Sequence, residues 1–163
     1  MRILAIDPGL ANTGLVMFEG RRIVGVHTVT SPAQGARPDF ATCILRAHAT
    51  ATEIASWCET IGRPDVIVAE LYRDIPGALR QAANRWTTPL VIGVMCSTLY
   101  ELADTVVWQD PERVMTAYAQ MMRLWALGQR GIVTGDELLR NEHLRSAAAH
   151  GMAYLDAHKA VRG

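Results

Sequence analysis

Residues 1–14 read MRILAIDPGLANTG, and this stretch decides the fold. The run Ile3–Ile6 is continuously apolar, which is typical of a strand buried on both faces of a sheet. Asp7 closes the run, and turn-forming Pro, Gly and Asn residues separate it from a second apolar segment, Leu15–Phe18. A carboxylate at the tip of a central strand is held rigidly and can serve as a metal ligand or general base. Alternatively, Asp7 simply begins an Asp-Pro-Gly turn.

The size and composition fit a single globular domain spanning residues 1–163, since half of the residues are hydrophobic and 20% are charged. The formal net charge is zero, so overall charge does not announce a strongly basic nucleic-acid binder. Cys43, Cys58 and Cys96 match no metal-ligand spacing, and we expect them to be reduced in a cytoplasmic protein. We expect no signal peptide, and the longest apolar stretch, at 89–100, is too short to span a membrane.

Hydrophobic periodicity and turn residues predict the remaining elements. Their expected bounds are a strand at 22–30, a helix at about 40–60, a strand at 64–70, a helix at about 78–102, a strand at 104–108, a helix at 111–127 and a helix from about 134 to 158. This order predicts an α/β fold, with a five-stranded mixed sheet of three antiparallel strands and then two further strands, flanked by helices.

Two helices carry specific expectations. Pro89 predicts an interruption or a bend in the second helix, whose apolar residues between Leu90 and Leu99 suit a helix that packs on the sheet or faces another subunit. Thr134 and Glu137 form a capping-box pattern at the expected start of the last helix.

Glu70 closes the second buried strand, as Asp7 closes the first, and this repetition indicates a site at the strand ends. In the last helix, His143, Ser146 and His150 share one face, because they lie at i, i+3 and i+7. The two histidines could be partly buried helix residues. Beside two acids, however, His143 is a candidate third ligand, and carboxylates with one imidazole suit Mg²⁺ or Mn²⁺.

Three segments resemble the motifs of a known family. ILAIDPGLANTGLVMF at 3–18 is similar to the first-strand motif of the RuvC-type Holliday junction resolvases, within the RNase H-like (retroviral integrase) superfamily. DVIVAELYR at 65–73 resembles the second acidic strand of that family, and EHLRSAAAHGMAYL at 142–155 resembles its terminal catalytic helix. The resemblance implies an RNase H-like fold and a metal-dependent endonuclease that resolves Holliday junctions or other branched DNA as a homodimer.

The resemblance also implies roles in a two-metal site. Asp7 would bridge two ions, Glu70 would hold one, and His143 with the residue at position 146 would hold the other. The family ordinarily has an aspartate where this chain has Ser146, and a neutral hydroxyl is a poor substitute for a charged ligand. Glu142 could compensate only if the helix rotated or frayed. The departure favours an alternative function, a non-cleaving branched-DNA-binding module with a degraded metal site.

Contacts to DNA are the second departure. Family members carry a Gly-rich, Lys-bearing stretch after the fifth strand, whereas 108–120 reads WQDPERVMTAYAQ here. Arg73, Arg80 and Arg85 could line a phosphate-binding face instead, or they could be solvated helix charges. Tyr72 could stack on junction bases or lie in the core. A third interpretation, the phosphate loop of an actin-like or sugar-kinase-like ATPase, needs a duplicated domain that 163 residues cannot hold.

Overall fold

A computed structural model of the protein describes residues 1–9, 11–31, 39–71, 84–111, 114, 118, 138 and 141–159. Within these ranges it has five strands and three long helices. They are β1 (Arg2–Asp7), β2 (Asn12–Glu19), β3 (Arg22–Thr30), α1 (Phe40–Ile61), β4 (Val66–Glu70), α2 (Asn84–Leu102), β5 (Thr105–Gln109) and α3 (Glu142–Lys159).

The five strands form one mixed sheet in the order β3-β2-β1-β4-β5. The first three strands are an antiparallel meander, while β4 pairs parallel to β1 and β5 parallel to β4. The predicted five-stranded mixed sheet is therefore confirmed. The three interior strands, β2, β1 and β4, carry the continuous apolar runs of the sequence, because both of their faces are covered.

Helices cover both faces of the sheet, so the fold has three layers. Alternate residues of each strand point to opposite faces. Ile3 and Ala5 pack beneath α3, whereas Leu4 and Ile6 pack beneath α1 and α2. Two apolar cores result, one on each side of the sheet.

The second helix belongs to the core beneath α1. Val91, Met95 and Leu99 are almost fully buried there, so the alternative of a helix packed on the sheet applies to them and a subunit-facing role does not. Pro89 lies inside a continuous helix, and the predicted interruption is absent. Pro89 removes a single main-chain hydrogen bond, and the packing of the three buried side chains outweighs that loss.

Two predicted boundaries are wrong in ways that matter for the site. The last helix begins at Glu142 and not near Thr134, because Asn141 caps it: its Oδ1 accepts hydrogen bonds from the backbone N–H groups of His143 and Leu144. The fifth strand ends one residue later than predicted, which places Gln109 in the sheet. The Thr134–Glu137 pattern and most of the helix predicted at 111–127 lie outside the described residues.

No disulfide joins the three cysteines, as expected. Among the helices that the structure describes, none has the length and apolar character needed to cross a membrane.

Candidate functional site

Three polar side chains form a row at one edge of the sheet, where parallel strands end. Glu70 pairs with Gln109 across β4 and β5, and Asp7 follows the last β1–β4 pair, Ile6 with Ala69. Side chains two positions earlier in each strand lie in the core beneath α3, so all three polar residues face that helix. Asp7 and Glu70 are therefore brought together, as the sequence predicts.

Asp7 takes its partner from the first turn of α3. Nδ1 of His143 lies 2.9 Å from Oδ2 of Asp7, and both side chains are partly buried. The pair joins the tip of β1 to the start of the helix. His143 is thus placed at the predicted site, where it binds one acid directly.

Glu70 takes two partners from the same helix. Oγ of Ser146 donates to Oε2 of Glu70 at 3.0 Å, and Nε2 of His150 lies 3.1 Å from the same oxygen. The other ring nitrogen of His150, Nδ1, lies 3.0 Å from Oε1 of Gln109. Ser146, His150 and Gln109 therefore surround Glu70, and we call these four residues the Glu70 cluster.

The helix and the strand ends match in spacing. His143 and His150 are seven residues apart, which is about 10 Å along a helix axis. The step from β1 across β4 to β5 covers two strand spacings, which is also about 10 Å. One face of α3 can therefore serve three adjacent strands at once. The sequence singled out this face, but Gln109 carried no signal, because it joins the site through the register of β5 alone.

Asn141 and Gly14 fix the start of α3 over the sheet. The Asn141 side chain caps the helix and also donates from Nδ2 to Oγ1 of Thr28 in β3, at 2.9 Å. Gly14 in β2 pairs with Asp7, and a Cβ added to Gly14 would overlap the backbone carbonyl of His143. The absence of a side chain at Gly14 lets the helix approach closely enough for His143 to reach Asp7.

The two carboxylates are shifted in opposite directions. Burial raises the pKa of Asp7, the negative charge of Glu70 raises it further, and the hydrogen bond to His143 offsets only part of the rise. Burial also acts to raise the pKa of Glu70, but the hydrogen bonds and charge supplied by His150, together with Ser146, leave it lowered. The hydrogen bond to Asp7 raises the pKa of His143.

A cleft of about 270 Å³ opens beside the Glu70 cluster. Its lining includes Glu70, Ser146 and His150, together with Pro111, Val114 and Tyr118. Glu142, in the first turn of α3, also lines it. The cleft gives a ligand direct access to the carboxylate of Glu70.

The donor types at the site suit a divalent cation. Burial first, and then the negative charge of Glu70, raise the pKa of Asp7, and a bound cation would favour the ionised form of both carboxylates. Within the described part of the chain, however, no three His, Cys, Asp or Glu side chains are grouped as a ready-made metal site. Asp7, Glu70 and His143 fit Mg²⁺ or Mn²⁺ in chemistry.

The structure does not describe the side chains of the four predicted DNA-contacting residues. Tyr72, Arg73 and Arg80 lie outside the described residues, and for Arg85 the structure describes the backbone, within α2, but not the side chain. Their roles stay predictions.

Comparisons with known proteins place the fold. No protein-family model matches the sequence, and a search of curated proteins finds no significant match. Among solved structures, Thermus thermophilus RuvC in complex with a Holliday junction substrate is 23% identical with a TM-score of 0.68, covering 98% of this chain and 96% of that one. A second Thermus thermophilus RuvC structure is 20% identical with a TM-score of 0.64, covering 98% and 97%.

The yeast mitochondrial Holliday junction resolvase Ydc2 is 12% identical with a TM-score of 0.71, covering 98% of this chain and 80% of that one. These likenesses extend over nearly the whole chain. The protein therefore shares the RNase H-like α/β fold of these structures.

Proposed function

We propose that this protein is a metal-dependent, structure-selective DNA endonuclease that resolves Holliday junctions or other branched DNA. One observation carries the proposal: Asp7 and Glu70 lie side by side at the ends of two parallel strands, and both take hydrogen-bond partners from the same face of α3. The likeness in fold to a RuvC solved with a Holliday junction substrate supports it.

In this proposal Asp7, Glu70 and His143 hold Mg²⁺ or Mn²⁺. The bound ions would supply an acidified water and stabilise the leaving oxygen of a phosphodiester. The chain itself orients the ligands: His143 holds one oxygen of Asp7, and Ser146 holds one oxygen of Glu70. The cleft beside Glu70 would admit the scissile phosphate.

We propose that Tyr72 binds branched DNA by stacking on bases, and that Arg73, Arg80 and Arg85 bind it through phosphate contacts.

We also propose a homodimer, because two active sites related by a two-fold axis match the two symmetric strands of a four-way junction. Sedimentation at micromolar concentration tests this. A monomer that still cuts both strands symmetrically would contradict it.

The three cysteines form no disulfide with one another, and this favours a cytoplasmic location.

Cleavage of an end-labelled synthetic four-way junction tests the activity. We expect nicks in the presence of Mg²⁺, no nicks with a chelator, and little cutting of a linear duplex of the same sequence. A gel-shift assay in Ca²⁺ measures binding separately. Junction cutting that continues in chelator would refute the metal dependence, and equal cutting of the linear duplex would refute the structure selectivity.

A second function is favoured by Ser146, namely a branched-DNA-binding module that does not cleave. Ser146 donates a hydrogen bond to Glu70 and adds no negative charge to the site. If the site lacks charge, Ser146→Asp should raise cleavage at low Mg²⁺, because divalent-ion affinity follows the ligand charge. Ser97→Asp, at an exposed position of α2, is the matched control. Absence of cleavage by the parent chain and by Ser146→Asp, with junction binding intact, would favour the binding module.

A further inference from the structure

We infer that His150, supported by Gln109, is a positioning residue that fixes the carboxylate of Glu70 through Oε2 and leaves Oε1 for a divalent ion. The hydrogen bonds and burial of His150 carry this inference. It rests on the proposed function in one respect, the bound ion.

His150 is the most deeply buried ionisable side chain of the site. Its relative exposure is 1%, whereas the side chain of His143 is 29% exposed. A buried imidazole needs a partner for each ring nitrogen, because an unsatisfied polar atom costs about 1–3 kcal/mol. His150 meets this need between two strands, with Glu70 at Nε2 and Gln109 at Nδ1.

The chemistry of the partners sets the protonation of His150 at Nε2. An ionised carboxylate only accepts hydrogen bonds, so Nε2 carries a proton and donates it to Oε2 of Glu70. At the other ring nitrogen, Oε1 of Gln109 accepts from a protonated Nδ1, and the NH₂ end of the same amide can donate to an unprotonated one. Gln109 thereby holds the ring in the orientation that serves Glu70.

The hydrogen bonds that α3 makes to Glu70 converge on one of its two carboxylate oxygens. Ser146 and His150 both bind Oε2, and within the described residues Oε1 accepts no hydrogen bond. A glutamate side chain loses considerable rotamer freedom when it becomes a metal ligand. Two donors on one rigid helix remove that freedom before an ion arrives, as partners behind metal ligands commonly do.

Two substitutions of His150 distinguish the contribution of the Nε2 donor from that of the whole ring. His150→Leu removes both ring nitrogens, whereas His150→Gln keeps an N–H donor near the position of Nε2. His158→Leu is the matched control, because His158 lies on the same helix and binds a backbone carbonyl, that of Tyr154. Circular dichroism and thermal melting establish that each variant is folded.

Titration with Mn²⁺ by calorimetry gives the first readout. We expect His150→Leu to bind Mn²⁺ about 10–100-fold more weakly than the parent, as is typical when a partner behind a metal ligand is lost. His150→Gln should lose much less, and His158→Leu should match the parent. A folded His150→Leu that binds Mn²⁺ like the parent, or a His150→Gln that loses as much as His150→Leu, would overturn the inference.

Nuclear magnetic resonance of the metal-free protein gives the second readout. We expect a protected ring N–H proton on Nε2 of His150, whose signal is lost in His150→Leu and shifts in Glu70→Ala. A proton on Nδ1 instead, or a signal insensitive to Glu70→Ala, would overturn the inference. If the parent binds no Mn²⁺, the proposed metal chemistry fails, and this ring signal still decides whether His150 fixes Glu70.

Discussion

Asp7 and Glu70 occupy equivalent places on neighbouring strands, yet their environments differ. Asp7 is the more buried carboxylate, with a side-chain exposure of 16% against 26% for Glu70. Its partner His143 is partly exposed, whereas the partner of Glu70, His150, is buried. Burial dominates at Asp7 and raises its pKa, while the donors around Glu70 overcome burial and lower its pKa. The balance between burial and the surrounding hydrogen-bond donors and charges therefore decides the direction of each pKa shift.

The difference suggests a division of labour. Environments that push two neighbouring pKa values apart are typical of sites that handle protons or ions. Glu70 stays ionised and held in place, whereas Asp7 carries an uncompensated burial penalty that a cation would remove. Four predictions test this contrast, from the largest expected effect to the smallest.

The largest effect is expected from the carboxylates themselves. Asp7→Asn and Glu70→Gln should each abolish Mg²⁺-dependent junction cleavage and leave junction binding largely intact, because each removes a proposed ion ligand. Asp65→Asn is the control, since Asp65 is an exposed acid near the opposite end of β4 that binds the backbone N–H of Arg2. Unchanged cleavage in either site variant, or loss of the fold, would refute the assignment.

The next effect comes from a backbone contact near Asp7, the close approach of α3 to Gly14. Gly14→Ala should destabilise the protein by about 1–3 kcal/mol, because the new methyl group forces the start of α3 away from β2. The displacement should break the contact of His143 with Asp7 more than the Glu70 cluster.

Gly93→Ala is the matched control for Gly14→Ala. Gly93 lies on an exposed face of α2 with open space at its Cβ position. This change should raise stability by about 0.5–1 kcal/mol, because alanine favours a helix over glycine. Urea unfolding of both variants gives the two free energies, and equal values would contradict the close approach at Gly14.

A smaller effect concerns the two helix caps. Asn141 caps α3 and Asp39 caps α1, where its Oδ1 accepts from the backbone N–H of Thr42 at 2.7 Å. Asn141→Ala should reduce stability by about 1 kcal/mol, and Asp39→Ala should also reduce stability, because each removes a helix cap. Mn²⁺ affinity should fall for Asn141→Ala alone, because that cap holds the turn carrying His143. Equal effects of the two substitutions on Mn²⁺ binding would show that His143 does not bind the ion.

The smallest effect is a pH dependence of opposite sign in the metal-free protein. Because the folded-state pKa of Asp7 is raised, the folded state keeps its proton as pH rises above the ordinary value of 3.8, and stability falls through that window. Because the folded-state pKa of Glu70 is lowered, stability falls as pH drops below the ordinary value of 4.5. Asp7→Asn should remove the first slope and Glu70→Gln the second.

Denaturation midpoints measured from about pH 3 to about pH 6 give both slopes, below the pKa of His143, which the hydrogen bond to Asp7 raises from its ordinary value of 6.5. A slope of the same sign in both variants would show that the two environments are alike.

The sequence by itself determined the strands and the acids at their ends. Continuous apolar runs before Asp7 and Glu70 predict buried strands, and the parallel pairing of these strands brings their ends to one edge of the sheet. The helical period likewise put His143, Ser146 and His150 on one face. These features are local, because each follows from the spacing of residues within one element.

Tertiary structure alone decided which atoms meet. Gln109 enters the site through the β4–β5 register, and Asn141 sets where α3 begins by capping it and binding Thr28. The apolar face of α2 packs in the core beneath α1, and this packing stabilises a helix that continues through Pro89. The opposite pKa shifts of Asp7 and Glu70 depend on burial and on donors from a helix more than 70 residues away in sequence, which no local pattern encodes.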